Sequence, residues 1–355
     1  MTDGILKNEE RATLALRELY RRYGYTPYKM SRFEEYDLYV RNKDFLVSDR
    51  IITFSGPGGQ LMALKPDVTL SIVKNAPDTP GVVQKVYYNE NVYRDYREIL
   101  QAGLECVGDL GNYEIAEVVL LAAKSLELLG SPYVLDISHM GLLSAVLDSC
   151  GLTGGEKAGA MECLRRKNPH DLKALCREET AWNRLSTLLS CRGSSREVLK
   201  RLRALLSSEA ELAAYGELEA LWTVLESSGC HIRLDFSVGS NMRYYSGVVF
   251  RGYLEGIPTS VLSGGQYDKL PQKMGRQARA IGFAIYLDLL EDLQGLEAGF
   301  QVDTLILHDG SVAPLVLTAA ADAAAKKGSV LVARQMPKDK QWKTLIRYEK
   351  GEAVT

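Results

Sequence analysis

The sequence predicts an α+β fold, in which a sheet of several strands is flanked by helices. Two strand-like runs follow one another closely, over residues 82–93 and 99–107. A long segment rich in Leu, Ala, Glu and Arg comes next and favours helices, because its apolar residues lose the alternation of strands. We therefore expect three parts, which are a core over 1–130 and 230–295, a helical insertion over 131–229, and a small α/β unit over 300–355.

The N-terminal part is predicted to begin with a helix over residues 9–23, which Gly24 is suited to end. The glycine-rich segment SGPGGQ at 55–60 is typical of the turn of a hairpin. The run LMALKPDVT at 61–69 predicts a strand, with Pro66 at its end or at a sheet edge.

The central part is predicted to be a helix over 69–75, the two strands already noted, and a helix over 113–129 that ends at Gly130. The connection between the two strands, YRDYRE, is very short.

The later part is predicted to contain strands over 232–238 and 244–253, followed by the glycine-rich SGGQYD at 263–268. The run AIGFAIYLDLLEDL at 280–293 predicts either a strand that continues into a helix or one long helix. A β-α-β-β pattern begins near Phe300.

The bulk composition excludes several classes of protein. The 355 residues are 46% hydrophobic and 25% charged, as in ordinary soluble globular proteins. Lys and Arg number 43 against 45 Asp and Glu, which argues against a protein that mainly grips nucleic acid. There is no run of about 18 apolar residues and no signal-peptide pattern at the N-terminus, so we expect a cytoplasmic protein without membrane spans.

Metal and phosphate-loop chemistry have no sequence support. The six cysteines form no CxxC pair and the four histidines share no ligand spacing, so we expect reduced thiols and no metal. Neither GxxxxGK[ST] nor GxGxxG occurs. We expect no cofactor.

A candidate binding face lies in the run LQAGLECVGDL at 100–110. Side chains alternate along a strand, so Gln101, Gly103 and Glu105 share one face, where the glycine would leave room for a ligand. By the same alternation, KPDVT would place Lys65, Asp67 and Thr69 on one strand face. With the adjacent tyrosines Tyr244 and Tyr245, these segments predict a site for a small zwitterion with a polar side chain.

In this order, the segments resemble the class II aminoacyl-tRNA synthetase catalytic fold, in its histidyl-tRNA synthetase branch. The resemblance implies an antiparallel sheet flanked by helices, and it covers roughly residues 9–293 except the helical middle. The matching motifs are the run KPDVT, the strand end NVYR at Arg94 with Gln101, Gly103 and Glu105, the pair Tyr244 and Tyr245, the run GGQYD at 264–268, and GFAIYLDLL at 282–290.

The departures from the synthetase pattern concern the residues that would support adenylate formation. This step builds negative charge at phosphorus and depends on fixed cations. By the resemblance, Leu289 and Ser240 stand where the synthetase has arginines, Ser31 replaces a proline, and the motif 2 loop shrinks to residues 95–97. Arg94 is retained, whereas Arg243 is expected to face away, because it lies three residues from Ser240.

The resemblance implies that the amino-acid pocket is kept. Asp67, Thr69 and Gln101 would hold an α-amino group, and Glu105 and Tyr245 would hold an imidazole, with Tyr244 beside them. Arg94 would be available for the ligand carboxylate.

A chain that keeps the amino-acid pocket but lacks the catalytic cations resembles the regulatory subunits of ATP phosphoribosyltransferase. These subunits are non-catalytic paralogues of histidyl-tRNA synthetase. The resemblance implies a short-form catalytic subunit as partner, a hetero-octamer, and feedback control of histidine biosynthesis by L-histidine. The short C-terminal unit, about 55 residues long, resembles a curtailed anticodon-binding domain and argues against a tRNA role.

Other interpretations remain open at this point. The chain could be a working histidyl-tRNA synthetase, or a histidine-binding paralogue with another partner. Glu105 could pair with Arg94, Asp67 and Thr69 could simply cap the helix that follows, and the two tyrosines could be plain strand aromatics. The glycines of SGGQYD favour a structural turn over ligand contact.

Overall fold

The structure is a computed structural model that describes residues 6–46, 50–130, 132–238, 244–290, 302–337, 340–349 and 352–354. The chain divides into two compact units, residues 1–292 and 293–355.

The helices and strands alternate irregularly along the first unit, as in an α+β fold, and the predicted fold class is confirmed. Its strands are β1 (Thr26–Pro27), β2 (Phe33–Glu35), β3 (Thr53–Ser55), β4 (Leu61–Leu64), β5 (Val83–Arg94), β6 (Arg97–Gly108), β7 (Tyr133–His139), β8 (Arg192–Gly193), β9 (Ile232–Asp235), β10 (Val248–Leu254), β11 (Leu262–Gln266) and β12 (Arg279–Tyr286). Its helices are α1 (Asn8–Arg22), α2 (Tyr36–Arg41), α3 (Thr69–Asn75), α4 (Asn112–Leu128), α5 (Met140–Ser149), α6 (Gly154–Arg166), α7 (Pro169–Leu175), α8 (Glu179–Ser190), α9 (Arg196–Arg203), α10 (Glu209–Ser227) and α11 (Lys269–Lys273).

A nine-stranded sheet forms the centre of the first unit, in the order β1-β5-β6-β12-β11-β10-β7-β9-β8. Two neighbouring pairs, β1 with β5 and β7 with β9, are parallel, and the other pairs are antiparallel. The sheet is therefore antiparallel throughout the stretch from β5 to β7 that carries the predicted binding face.

The hairpin of β5 and β6 confirms the two predicted strands. Its turn consists of Asp95 and Tyr96, both with positive φ, at 50° and 61°. A two-residue turn of this kind matches the right-handed twist of the strands that it joins. Every residue of β5 pairs with one of β6, from Val83 with Gly108 to Arg94 with Arg97.

Helices α1 and α4 lie where the sequence predicted helices, and each ends beside a glycine. Gly24 and Gly130 both adopt positive φ, at 81° and 78°, which releases the chain from the helix at low steric cost. The two helices contact each other, with the hydroxyls of Tyr20 and Ser125 in a buried hydrogen bond of 3.0 Å. Together they cover one face of the sheet.

The segment over 131–229 contains a strand that the sequence analysis did not separate from it. Strand β7 joins the nine-stranded sheet between β10 and β9, and the helices run from α5 to α10. Its residues are nearly all buried from Leu135 to His139, so they lack the in-and-out alternation that marks an exposed strand. The helical part is therefore shorter at its start than expected.

The N-terminal hairpin is formed by β3 and β4, which pair antiparallel across the SGPGGQ turn as predicted. The prediction of a strand through KPDVT is wrong, because β4 ends at Leu64. Pro66 cannot donate to a sheet, and the chain turns into α3, whose bounds, Thr69–Asn75, are those predicted. Lys65 is fully buried, and its ammonium pairs with the Glu90 carboxylate at 2.5 Å.

Two predicted elements of the later part are shifted. Strand β10 starts at Val248 rather than at residue 244, and β12 ends at Tyr286, where a 3-10 turn over Leu287–Leu290 follows. Of the two alternatives for residues 280–290, the structure therefore shows a strand followed by a short helical turn.

The second unit has the predicted β-α-β-β order, extended by one short strand. Its elements are β13 (Val302–His308), α12 (Pro314–Ala325), β14 (Val330–Ala333), β15 (Trp342–Glu349) and β16 (Glu352–Val354). The sheet order is β14-β13-β15-β16, with β13 parallel to both of its neighbours.

Within the described residues, none of the helices combines the length and apolar character that a membrane crossing requires.

Gly264 offers a test of the packing between β11 and its neighbours. A Cβ atom there would lie 2.5 Å from the Gly282 carbonyl oxygen and 2.8 Å from the Phe250 ring. Since a backbone atom must move to relieve the overlap, we expect Gly264→Ala to lower the free energy of unfolding by about 1–3 kcal/mol, measured by urea denaturation.

A matched control is Gly216→Ala, in the middle of α10, where an added Cβ would meet nothing within 4 Å. This exchange should raise the free energy of unfolding by about 0.5–1 kcal/mol, because alanine is the better helix former. Equal effects of the two substitutions would contradict the packing described around Gly264.

Candidate functional site

The floor of the site is built by three neighbouring strands of the large sheet. The register pairs Gln101 with Tyr286, Gly103 with Ala284 and Glu105 with Gly282. Directly paired residues of antiparallel strands point to the same face, so these side chains share one surface. The predicted common face of Gln101, Gly103 and Glu105 follows from this pairing.

The residues that precede α3 form one wall. Asp67 accepts a hydrogen bond of 2.9 Å from the Leu70 backbone N–H, so it caps the first turn of α3, and it also lines the cavity. Thr69 instead donates to Glu105 at 2.8 Å. Lys65, predicted to share their face, faces Glu90 and does not line this cavity, because the chain has left the strand and its alternation no longer holds.

Glu105 is a carboxyl buried in the middle of the sheet, with 2% of its surface exposed. Its two oxygens accept hydrogen bonds from the hydroxyls of Thr69 and Tyr267. Burial raises its pKa to about 8, against the opposing effect of these two donors. The described hydrogen-bond partners of Glu105 are therefore two hydroxyl groups, and not Arg94 as in the alternative interpretation.

Glycines in the floor make room for protein side chains rather than for a ligand. A Cβ atom on Gly282 would overlap the Glu105 carboxyl, and one on Gly103 would lie 2.6 Å from the Tyr88 hydroxyl. One on Gly265 would lie 2.7 Å from the Tyr245 ring. The expectation that Gly103 opens space for the ligand is thus wrong, because Tyr88, which pairs with it across the hairpin, fills that space.

Tyrosines enclose the site. The rings of Tyr244 and Tyr245 lie 4.6 Å apart, centre to centre, and Tyr267 lies 5.7 Å from Tyr244. The pair precedes β10, so its members are not the plain strand aromatics of the alternative interpretation. Burial raises the pKa of all three phenols, which keeps them neutral hydrogen-bonding groups at physiological pH.

Two unpaired donors face the acidic groups. Arg94, at the end of β5, is 8% exposed and its Nε has no hydrogen-bond partner within the described chain. The same holds for Nε2 of Gln101, which is 2% exposed. Burial raises the pKa of Asp67, while the nearby charge of Arg94 opposes the rise. Buried donors without partners are costly, so this cavity is a candidate binding site.

All of the predicted site residues line a single cavity of about 570 Å³. They are Asp67, Thr69, Arg94, Gln101, Glu105, Tyr244 and Tyr245.

The sequence analysis missed Tyr88, Arg251 and Tyr267, which line the same cavity. Tyr267 lies in the GGQYD segment, which was expected to be structural only, and it was not predicted as a contact because its neighbours are glycines. Arg251 lies on β10 at even spacing from Val249, so strand alternation was the available signal.

The positions that depart from the synthetase pattern are only partly described. Ser240 and Arg243 lie outside the described residues. Leu289 lies in the 3-10 turn after β12 and is half-buried. The short motif 2 loop is the two-residue turn of Asp95 and Tyr96, whose tyrosine is 83% exposed.

No group of three or more His, Cys, Asp or Glu side chains is arranged to hold a metal ion in the described parts of the chain.

The sequence is similar to those of known proteins. The family profile described as histidyl-tRNA synthetase matches residues 5–290. An ATP phosphoribosyltransferase regulatory subunit of Bacillus licheniformis is 30% identical over 324 residues, which is 85% of this chain and 81% of that protein. This chain belongs to the histidyl-tRNA synthetase family, among its ATP phosphoribosyltransferase regulatory subunits.

Another relative with the same name, from Geobacillus thermodenitrificans, is 29% identical over 346 residues, which is 92% of this chain and 86% of the relative.

Solved structures show the same fold. A protein of Bacillus halodurans C, described as an ATP phosphoribosyltransferase regulatory subunit/histidyl-tRNA synthetase, superposes with a TM-score of 0.75 at 24% identity, covering 96% of this chain and 94% of that one. A chain of the ATP phosphoribosyl transferase (HisG:HisZ) complex from Thermotoga maritima gives 0.61 at 17% identity, covering 78% and 96%.

The burial of Glu105 predicts a pH dependence of stability. Its pKa is raised from the ordinary 4.5 to about 8, so between these values the folded chain keeps a proton that the unfolded chain has lost. The free energy of unfolding should fall as pH rises through this window. In Glu105→Gln the contribution of this carboxyl to the pH dependence should vanish. The free energy of unfolding should then fall less steeply with pH, by up to about 1.4 kcal/mol per pH unit, as measured by denaturation between pH 5 and 8.

Glu98→Gln, an exposed position on the same strand, is the control and should keep the wild-type slope. An unchanged slope in Glu105→Gln would mean that Glu105 is ionised in the folded protein.

Proposed function

We propose that this chain is a non-catalytic regulatory subunit that binds L-histidine, activates a short-form ATP phosphoribosyltransferase catalytic subunit and transmits feedback inhibition to it. The supporting observation is one cavity that holds acidic acceptors beside the buried guanidinium of Arg94, whose Nε has no hydrogen-bond partner among the described residues. Such a division of charge is complementary to an amino acid, whose ammonium and carboxylate need opposite partners.

The α-amino group is assigned to Asp67, Thr69 and Gln101. An ammonium has three donors and no acceptor, so it needs oxygen atoms around it. The Asp67 carboxylate and the Thr69 hydroxyl supply two, and the side-chain amide oxygen of Gln101 supplies a third.

The imidazole is assigned to Glu105 and Tyr245, with Tyr244 packed beside it. Glu105 already has Thr69 and Tyr267 as donors, so its orientation is fixed before a ligand arrives. A fixed carboxyl can accept from a ring N–H, or donate to a ring nitrogen when protonated. Because its pKa is raised to about 8, both forms are accessible near neutral pH. The surrounding tyrosine rings provide a flat apolar enclosure for the imidazole.

The ligand carboxylate is assigned to Arg94. Its buried guanidinium has an unpaired Nε, and an arginine can bind a carboxylate through two parallel hydrogen bonds. Arg251 adds a second positive group to the cavity lining.

The non-catalytic role is supported by what replaces the machinery of adenylation. In the synthetase pattern, a long motif 2 loop holds ATP, whereas here two residues join β5 to β6. A leucine, Leu289, occupies the position of a motif 3 arginine. The loss of even one charge-stabilising donor costs about 10²–10³ in rate, so several losses are incompatible with useful synthesis. The relatives are named for regulation and not for ligation.

Control of the partner would follow from linkage between two sites. Histidine would shift the arrangement of the subunits, in a hetero-octamer by family resemblance, with a coupling free energy of about 1–3 kcal/mol. The same coupling would make the catalytic subunit alter the affinity for histidine.

Isothermal titration of the chain with L-histidine tests the binding proposal, both alone and with the catalytic subunit. We expect saturable binding and about tenfold weaker binding of histidinol, which lacks the carboxylate that would meet Arg94. In Glu105→Gln, binding should weaken about 10- to 100-fold, because a neutral amide replaces the carboxyl, which can ionise to accept the hydrogen bond of the ring N–H.

Co-purification with the catalytic subunit should be unchanged in Glu105→Gln, and the Glu98→Gln control should bind histidine normally. Wild-type affinity in the Glu105→Gln protein would refute the assignment of the imidazole.

The absence of catalysis is tested by histidine-dependent exchange of radioactive pyrophosphate into ATP. We expect no exchange above the background of a protein-free sample, because Arg94 and Arg251 are not accompanied by the motif 3 arginine. Exchange that requires histidine and disappears in Arg94→Ala would instead establish a synthetase activity.

A further inference from the structure

A second cavity, of about 450 Å³, lies between α4 and α10. The sheet supplies its floor through His139, Val248 and Gln266. Volumes of this size are typical of small-molecule sites.

This second cavity lies on the opposite face of the sheet from the first. Val248 of β10 and its pairing partner His139 line the second cavity, whereas Val249, the next residue of β10, lines the first cavity. Successive residues of a strand point to opposite faces, so the two cavities are separated by the thickness of the sheet. A ligand in one does not occupy the other.

The walls of the second cavity are largely apolar. They are formed by Ala116 and Leu120 of α4, Leu221 and Val224 of α10, and Val248 of β10. At the rim, Tyr113 is 66% exposed and Val224 is 38% exposed, so both side chains are accessible to a ligand. The cavity therefore suits a ligand with an apolar, ring-sized body.

One polar pair closes the α10 side. Nδ1 of His139 accepts the Leu142 backbone N–H at 3.1 Å, so the ring proton is on Nε2, which donates to Glu217 at 3.1 Å. The hydrogen bond from His139 is the main cause of a lowered pKa of Glu217. Among the described hydrogen bonds, His139 donates only to Oε2 of Glu217. The other oxygen of this carboxylate, Oε1, can therefore accept a hydrogen bond from a ligand.

The other charged groups nearby are already committed. Glu117, at the α4 side, accepts from Tyr25, Lys85 and Tyr113. Arg279, whose charge also acts on Glu217, binds the Leu110 carbonyl at 2.8 Å and pairs with Asp268. Glu217 is therefore the group left to meet a ligand, and a carboxylate needs a donor, preferably a cation.

We propose that this second cavity binds a small arylalkyl amine, with its ring between α4 and α10 and its ammonium on Glu217. The proposal is independent of histidine binding, because the two cavities share no side chain that contacts a ligand in both. A matched anion, identical except for a carboxylate in place of the ammonium, is excluded by repulsion from Glu217.

The test is isothermal titration of the full chain with tryptamine, and with indole-3-propionate as the anionic match. We expect saturable binding of tryptamine at one site and none of indole-3-propionate. Ala220→Trp fills the cavity from an exposed position of α10 and should abolish tryptamine binding. Glu217→Gln should weaken it about fivefold, as expected for a half-exposed ion pair.

Glu105→Gln, in the first cavity, should leave tryptamine binding unchanged, and Ala220→Trp should leave the response to histidine unchanged. The proposal is overturned if tryptamine does not bind, if indole-3-propionate binds equally well, or if Ala220→Trp retains wild-type binding. Displacement of tryptamine by histidine, or its loss in Glu105→Gln, would assign the amine to the first cavity and also overturn it.

Discussion

The buried carboxyl of Glu105 constrains everything around it. A carboxyl in the middle of a sheet needs partners, and it finds them in Thr69 from the start of α3 and in Tyr267 after β11. It also needs space, and only a glycine at position 282 leaves room for it on the neighbouring strand. Three separate segments of the chain are thus fixed by one side chain, and together they shape the cavity.

The large sheet divides the first unit into two chemically different sides. On one side, α1 and α4 pack against it and supply much of the apolar core, where burial of side chains stabilises the fold. On the other side, the strands carry Arg94, Gln101 and Glu105, whose polar groups are buried at a cost that binding of a ligand can offset. The second cavity shows that the helix-covered side is also not completely filled.

Much of the fold was predictable because its signals are local. The spacing of apolar residues and a terminal glycine located α1 and α4, and alternation located β5 and β6. Strand β7 was not separated from the helices, because a strand buried on both faces has no alternation to recognise. The prediction that Lys65 shares a face with Asp67 was wrong for a related reason. Strand β4 ends at Leu64, and beyond the end of a strand the alternation of side chains no longer holds.

The sequence by itself determined the chemistry that is available: two carboxyls, a threonine hydroxyl, two tyrosines, an amide and an arginine, at positions that match the synthetase motifs. Only the tertiary structure decided which of them meet. Pairing of β6 with β12, and of β12 with β11, brings Tyr267 to Glu105, 162 residues apart in sequence. It also fills the space above Gly103 with Tyr88 and adds Arg251 to the lining. Such contacts depend on strand register and on close packing between distant segments, neither of which is encoded in the local pattern of residues.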